Sequence, residues 1–200
     1  MSVRVSNWNV ANLLTVLRIL LVPVFAYLLL AYPHHPGWRV VTTAVFAIAI
    51  LTDLVDGKIA RKYNLVTDFG KLWDPVADKA LTGMAFVGLS ILGELPWWIT
   101  IVILAREWGI TALRAAIVKY GVMAANRGGK LKTVTQSVAL MLFLLWLPQL
   151  PTAVAWIAWA IMIAALVLTV VTGLDYLREA AKLRRDALSR RDAEGHDSGE

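Results

Sequence analysis

The stretch that decides the fold is residues 53–78, DLVDGKIARKYNLVTDFGKLWDPVAD. Asp53 and Asp56 are three residues apart and share a helix face, as do Asp74 and Asp78, four apart. An apolar run leads into the first pair and another leads out of the second, so the four carboxylates sit at the adjoining ends of two consecutive helices. An ionised Asp at membrane depth costs about 2.5 to 3.5 kcal/mol, and four together repel one another. A positive group must lie among them.

The rest of the chain shows that these helices are membrane helices. Of 200 residues, 58% are hydrophobic and only 17% charged, against about 25% in a soluble domain. Mean hydropathy is +0.64. Six apolar segments, near 11–32, 38–60, 75–93, 96–120, 131–147 and 152–177, each approach the ~20 residues that cross a bilayer core. The expected fold is an all-α polytopic membrane protein of six transmembrane helices with a polar, cytoplasm-facing cavity. Residues 1–177 would form the membrane domain. Residues 178–200 would form a basic, then acidic, cytoplasmic tail, disordered at its end. No cleavable leader is read at the N-terminus.

Three connections, at 33–37, 93–96 and 148–151, are short Pro/Gly turns without Lys or Arg, whereas Lys58, Arg61, Lys62, Lys71, Lys119, Arg127, Lys130 and Lys132 crowd the other two and Arg178 to Arg191 follow the last helix. Arg39 alone stands clearly on the poor side. The positive-inside rule then puts both termini in the cytoplasm, the protein in the cell membrane and the bilayer around it. The net charge of +6 is accounted for by this asymmetry, and no nucleic-acid partner is read from it. Trp38, Trp97, Trp98, Trp146 and Trp156 fit an interfacial belt. No internal repeat supports an inverted-repeat transporter. The chain has no Cys, and its three His fall in the poor-side loop and the tail, so any metal must take oxygen ligands.

Asp53, Asp56, Asp74 and Asp78 suit two Mg²⁺ or Mn²⁺ ions, whose charge would cancel theirs. Gly57 and Ala60 keep the Asp56 face open for a ligand, and Arg61 at the end of that slot suits a phosphate or diphosphate. Taken singly, Gly57 could be a helix-packing residue and Arg61 a topology charge. Asn12, Thr15 and Arg18 recur on one face of the first helix, where they line a nucleotide pocket or hydrogen-bond to other helices.

Asp53-x-x-Asp56-Gly57-x-x-Ala60-Arg61, eight residues, Gly70-x-x-x-Asp74-x-x-x-Asp78 resembles the full signature of the CDP-alcohol phosphatidyltransferases. The resemblance implies a six-helix, homodimeric membrane enzyme that moves a phosphatidyl group from CDP-diacylglycerol to an alcohol and releases CMP. It implies the four Asp as metal ligands, Asp78 also as the base for the incoming hydroxyl, and Gly57, Ala60, Arg61, Thr67, Asn12 and Thr15 on the CDP-diacylglycerol side. GKLWDPVADKA at 70–80, AREWGITALR at 105–114, RGGKLKTVTQ at 127–136 and NLLTVLRILLVPVF at 12–25 resemble the branch that accepts sn-glycerol 3-phosphate. Ala11 departs from that branch, which usually has Pro there.

A phosphorylated acceptor also suits the later residues. Arg106 lies about ten residues into the fourth helix and Arg114 eight further on, roughly on the same side. A buried Arg needs an anionic partner, which Glu107 or a substrate could supply. Arg127, Gly128, Gly129, Lys130 and Lys132 read as a flexible basic stretch that could hold a small phosphate. The acceptor group is therefore Arg106, Arg114, Arg127 and Lys130. Alternatives are the same chemistry with phosphatidylglycerol (a cardiolipin synthase) or inositol phosphate as acceptor, or a carboxylate-based cation or proton transporter.

Overall fold

A computed structural model describes residues 10–62, 68–117 and 127–197; within these, the side chains at 10–12, 53–62, 68–75, 78, 127–130, 186–188 and 190–197 are left undescribed. The described residues form six α-helices and one 3-10 turn, with no strand among them: α1 (Val10–Ala31), α2 (Pro36–Lys62), α3 (Asp68–Ile91), α4 (Trp97–Ile117), α5 (Arg127–Leu144), the turn Leu147–Gln149, and α6 (Thr152–Asp197).

The boundaries follow the Pro and Gly residues. Pro36 occupies the first position of α2, where its missing N–H costs nothing. Helix α3 ends in a left-handed Gly93 (φ 72°), with Gly93 N–H bonded to the Ser90 carbonyl and Glu94 N–H to the Leu89 carbonyl, the paired bonds of a Schellman cap. Pro151 precedes α6, and its carbonyl accepts the N–H groups of Val154 and Ala155. Trp146 is the one non-glycine residue with positive φ among the described residues (65°), a conformation that costs about 1–2 kcal/mol. The His34 ring packs against its indole at 5.7 Å.

Two expectations are revised. The segment 127–132 is not an irregular stretch, because Arg127 through Lys130 make up the first turn of α5. The apolar pattern starting at Leu131 extends backwards by one turn, and the glycines fall at a helix start, where fewer intrahelical bonds are at stake. Helix α6 also continues past the expected end of its apolar run at 177 to Asp197, through residues rich in Ala, Leu, Arg, Lys and Glu, all good helix formers.

The chain divides into two compact units. One combines Met1–Trp97 with Ser137–Ala160, and the other Trp98–Gln136 with Ile161–Glu200. In the first, α1 packs against α2 and α3, and Phe25, Leu29, Phe46, Leu81, Phe86 and Leu89 are fully buried, the Phe25 and Phe46 rings 5.6 Å apart. In the second, Ile99 and Ile103 of α4 and Ala165 of α6 are buried, and Gln136 Nε2 donates to Thr169 Oγ1 at 2.9 Å.

The outward faces are apolar. Leu13, Leu20, Ile48, Ile101, Ile157 and Val171 are each at least half exposed, a surface suited to lipid rather than water. Among the described residues, α1 over Leu13–Ala31 and α6 over Thr152–Arg185 are long and apolar enough to cross a membrane, and α2, α3 and α5 contain the apolar stretches Pro36–Thr52, Lys79–Ile91 and Leu131–Leu144. Helix α4 has 21 residues, about 32 Å at 1.5 Å per residue, but Arg106, Glu107 and Arg114 interrupt it.

Candidate active site

The carboxylate register is helical throughout. Asp53 and Asp56 fall in the last ten residues of α2, with Gly57, Ala60 and Arg61 beside them, and Asp74 and Asp78 in the first half of α3. The side chains of all these residues, with those of Asn12, Arg127 and Lys130, lie outside the described residues, and Thr67 lies wholly outside them. Among described residues there is no group of three or more acidic, His or Cys side chains placed to hold a metal. Thr15 and Arg18 are buried, each 1% exposed, so the polar face expected on α1 does turn inward.

The cations of α4 are fully described. Arg106 and Arg114 both reach Tyr176 of α6, their guanidinium carbons 5.7 and 4.6 Å from its ring centre, within cation–π range. Arg106 Nη2 donates to Thr172 Oγ1 at 2.8 Å, and Arg114 Nη2 donates to the Tyr176 hydroxyl at 2.7 Å. The expectation that the two arginines share a side is met, with α6 as the helix they share.

Glu107 is a partner for Arg106 at 3.4 Å, but the Lys132 ammonium of α5 makes the closer ion pair with the same carboxylate oxygen. Lys132 is 5% exposed. Within this cluster Arg106 and Lys132 share the Glu107 carboxylate, and Arg114 is held by the uncharged Tyr176. Arg106 Nε is buried and has no hydrogen-bond partner among the described residues. Arginines held by uncharged groups inside a membrane protein favour an anion. Beside Arg106, α4 and α6 border a cleft of about 600 Å³ whose other lining residues, such as Gly109, Leu113 and Leu177, are all apolar or glycine.

A second charged centre, in the first unit, was assigned no function from the sequence. Arg39 is fully buried rather than solvated. Its Nη2 meets Glu94 Oε2 at 2.5 Å and the Phe143 carbonyl at 3.1 Å, and its Nε donates to the Leu144 carbonyl at 2.9 Å. Together with the His34–Trp146 contact, this gathers the three short, Lys/Arg-poor connections at one end of the unit. Burial raises the Glu94 carboxyl above its ordinary value, while Arg39 and then His34 oppose the shift. The signal available in the sequence was the rarity of charge on that side.

Charge held inside helices with apolar outer faces defines the class, an all-helical membrane protein. Comparison with known proteins supplies the family: the model of the CDP-alcohol phosphatidyltransferases matches residues 8–171, and the chain belongs to that family. It is 52% identical over 176 residues to the Mycobacterium tuberculosis protein named probable phosphatidylglycerophosphate synthase, covering 87% of this chain and 82% of that one. It is 38% identical over 183 residues to a Bacillus subtilis protein named CDP-diacylglycerol--glycerol-3-phosphate 3-phosphatidyltransferase, covering 84% and 93%. A Salmonella paratyphi A protein of the same name is 39% identical over 180 residues, covering 87% and 96%. Membership of a transferase family removes the transporter reading.

Proposed function

We propose that this protein transfers the phosphatidyl group of CDP-diacylglycerol to sn-glycerol 3-phosphate, giving phosphatidylglycerophosphate and CMP. The observation that carries the choice of acceptor is the cluster in which Arg106 and Arg114 are held by the uncharged Thr172 and Tyr176 of α6, while Glu107 is shared between Arg106 and Lys132. Such a cluster suits a small dianionic phosphate better than the uncharged glycerol end of phosphatidylglycerol. The names of the relatives support the same acceptor.

Asp53, Asp56, Asp74 and Asp78 would hold two divalent cations, Mg²⁺ or Mn²⁺. The donor set fits, since all four are hard oxygen ligands at helical spacing on α2 and α3. When bound, the ions would neutralise charge on the diphosphate and on the departing CMP. Arg61, with the open positions Gly57 and Ala60, serves the donor, and Asn12, Thr15 and Thr67 complete the nucleotide side. Arg106, Arg114, Arg127 and Lys130 hold the acceptor's phosphate.

The acceptor hydroxyl gives its proton to Asp78 and forms a bond to the phosphorus that carries diacylglycerol. The bond from that phosphorus to the oxygen of CMP breaks, and CMP leaves with the electron pair. Near an ordinary pKa of about 3.9, a carboxylate is a weak base, so Asp78 works only on a hydroxyl whose acidity is already raised. No covalent enzyme intermediate is needed.

The proposed setting is six transmembrane helices in the cell membrane with both termini in the cytoplasm, residues 1–177 as the membrane domain, 178–200 as a cytoplasmic extension, and a homodimeric assembly. The gathering of the three Lys/Arg-poor connections around Arg39 supports that topology. The test is CMP release by purified protein given CDP-diacylglycerol, Mn²⁺ and one acceptor at a time. Release with glycerol 3-phosphate is expected. Release with phosphatidylglycerol or inositol phosphate, and none with glycerol 3-phosphate, would overturn the assignment.

A further inference from the structure

Resting on the acceptor reading above, we propose that one face of α6 sets the acceptor-binding cations, and that Gly173 and Tyr176 are positioning residues for Arg106 and Arg114. Thr169, Thr172, Gly173 and Tyr176 recur at helical spacing and form one face. Gln136 of α5 bonds Thr169, Arg106 bonds Thr172, and Arg114 bonds Tyr176. The Thr172 hydroxyl donates to the Leu168 carbonyl at 2.6 Å, which orients its oxygen as an acceptor for Arg106.

Gly173 shapes the path of Arg106 across this face. A Cβ at 173 would lie 3.1 Å from Arg106 Cγ and 3.3 Å from its Nε, so even alanine would push the guanidinium aside by a few tenths of an ångström. Tyr176 works from the other side, its ring under both guanidinium groups and its hydroxyl on Arg114.

Every α6 group in this set is uncharged. A carboxylate would fix an arginine and cancel its charge at once, whereas a hydroxyl or a ring face fixes it and leaves the charge available to a phosphate. Glu107, the acidic neighbour, lies 3.4 Å from Arg106 Nη1 but pairs more closely with Lys132. The cations are thereby pre-organised, which lowers the ordering cost when the substrate binds.

The experiment measures CMP release by the full-length protein, varying glycerol 3-phosphate at saturating CDP-diacylglycerol and then the reverse. Tyr176→Phe keeps the ring and its packing, and Gly173→Ala keeps the helix. Each should raise acceptor KM about tenfold, the lower end for one lost hydrogen bond to a charged group, with donor KM and kcat within about twofold. Tyr176→Phe should add nothing in an Arg114→Gln background, nor Gly173→Ala in an Arg106→Gln background, since each acts through that arginine. If Arg106→Gln and Arg114→Gln raise acceptor KM while Tyr176→Phe and Gly173→Ala do not, the positioning role is wrong and the acceptor site stands. Equal losses toward donor and acceptor, or full additivity with the arginine variants, would likewise reduce α6 to packing. If the arginine variants themselves leave acceptor KM unchanged, the acceptor-site reading fails and takes the positioning role with it.

Discussion

Replacing Arg39 with methionine removes a fully buried guanidinium that holds three groups: the Glu94 carboxylate and the carbonyls of Phe143 and Leu144. The carbonyls belong to the last turn of α5, where no intrahelical donor is available. The Glu94 side chain is only 14% exposed, so Arg39→Met strands a largely desolvated charge. Breaking a buried ion pair from one side costs about 3–5 kcal/mol. At about 2–4 °C per kcal/mol for a chain of this size, the melting temperature should fall by about 6–20 °C. Most of that cost belongs to the stranded carboxylate and not to lost packing, so Arg39→Met combined with Glu94→Gln should recover more than half of the loss. Thermal unfolding of the three proteins in the same detergent measures this. Equal melting temperatures for the single and double variants would refute the reasoning, because they would show that neutralising Glu94 changes nothing.

The Glu94 carboxyl is raised chiefly by burial, so the folded protein holds its proton more tightly than the unfolded chain does. Its protonation therefore adds stability as pH falls from neutral, fully so below the ordinary value of 4.5, and that stability is lost as pH rises through the folded value. Wild type should gain melting temperature relative to Glu94→Gln over this range, and a pH-independent difference would exclude the linkage. Asn at 53, 56 or 74 should lower Mn²⁺ binding together with turnover, whereas Asp78→Asn should lower turnover most and keep more nucleotide binding; near wild-type turnover in Asp78→Asn would remove the base. Lys132→Met should shift Glu107, which Lys132 and Arg106 share, wholly toward Arg106, raising acceptor KM about tenfold, and Glu107→Gln in the same chain should restore it; no restoration would mean that Lys132 itself binds the substrate. Because the chain has no Cys, single cysteines can be introduced cleanly: His35→Cys and Gln149→Cys should label with an impermeant reagent from outside, Arg178→Cys should not, and the reverse pattern would invert the topology.

The local features were legible without coordinates. Apolar segments predicted helices whose ends agree within a few residues for α1, α2 and α4, because helix periodicity and Pro/Gly punctuation act over a few residues at a time. The same locality places Asp53 with Asp56, Asp74 with Asp78 and Arg106 with Arg114, since spacing alone assigns residues to a face. Where local rules ran out, the reading erred: two glycines at 128 and 129 suggested an irregular stretch where α5 begins, and the end of the apolar run near 177 was taken for the end of a helix that continues to Asp197.

What needed tertiary structure was the choice of partner. Arg39 meets the Leu144 carbonyl across 105 positions and Arg114 meets Tyr176 across 62; no rule of spacing connects them. Read as a string, the run 152–177 of α6 offered apolar residues with scattered Thr, Gly and Tyr and a single Asp, and Lys132 was one more positive-inside charge. Packing turned the first into a scaffold for two arginines and the second into the counter-ion of Glu107. The sequence determined which helices carry charge, because inserting charge among apolar residues has a cost that marks the position. Only the fold decided which of those charges are cancelled and which stay available, because that depends on distances between helices set by the whole core.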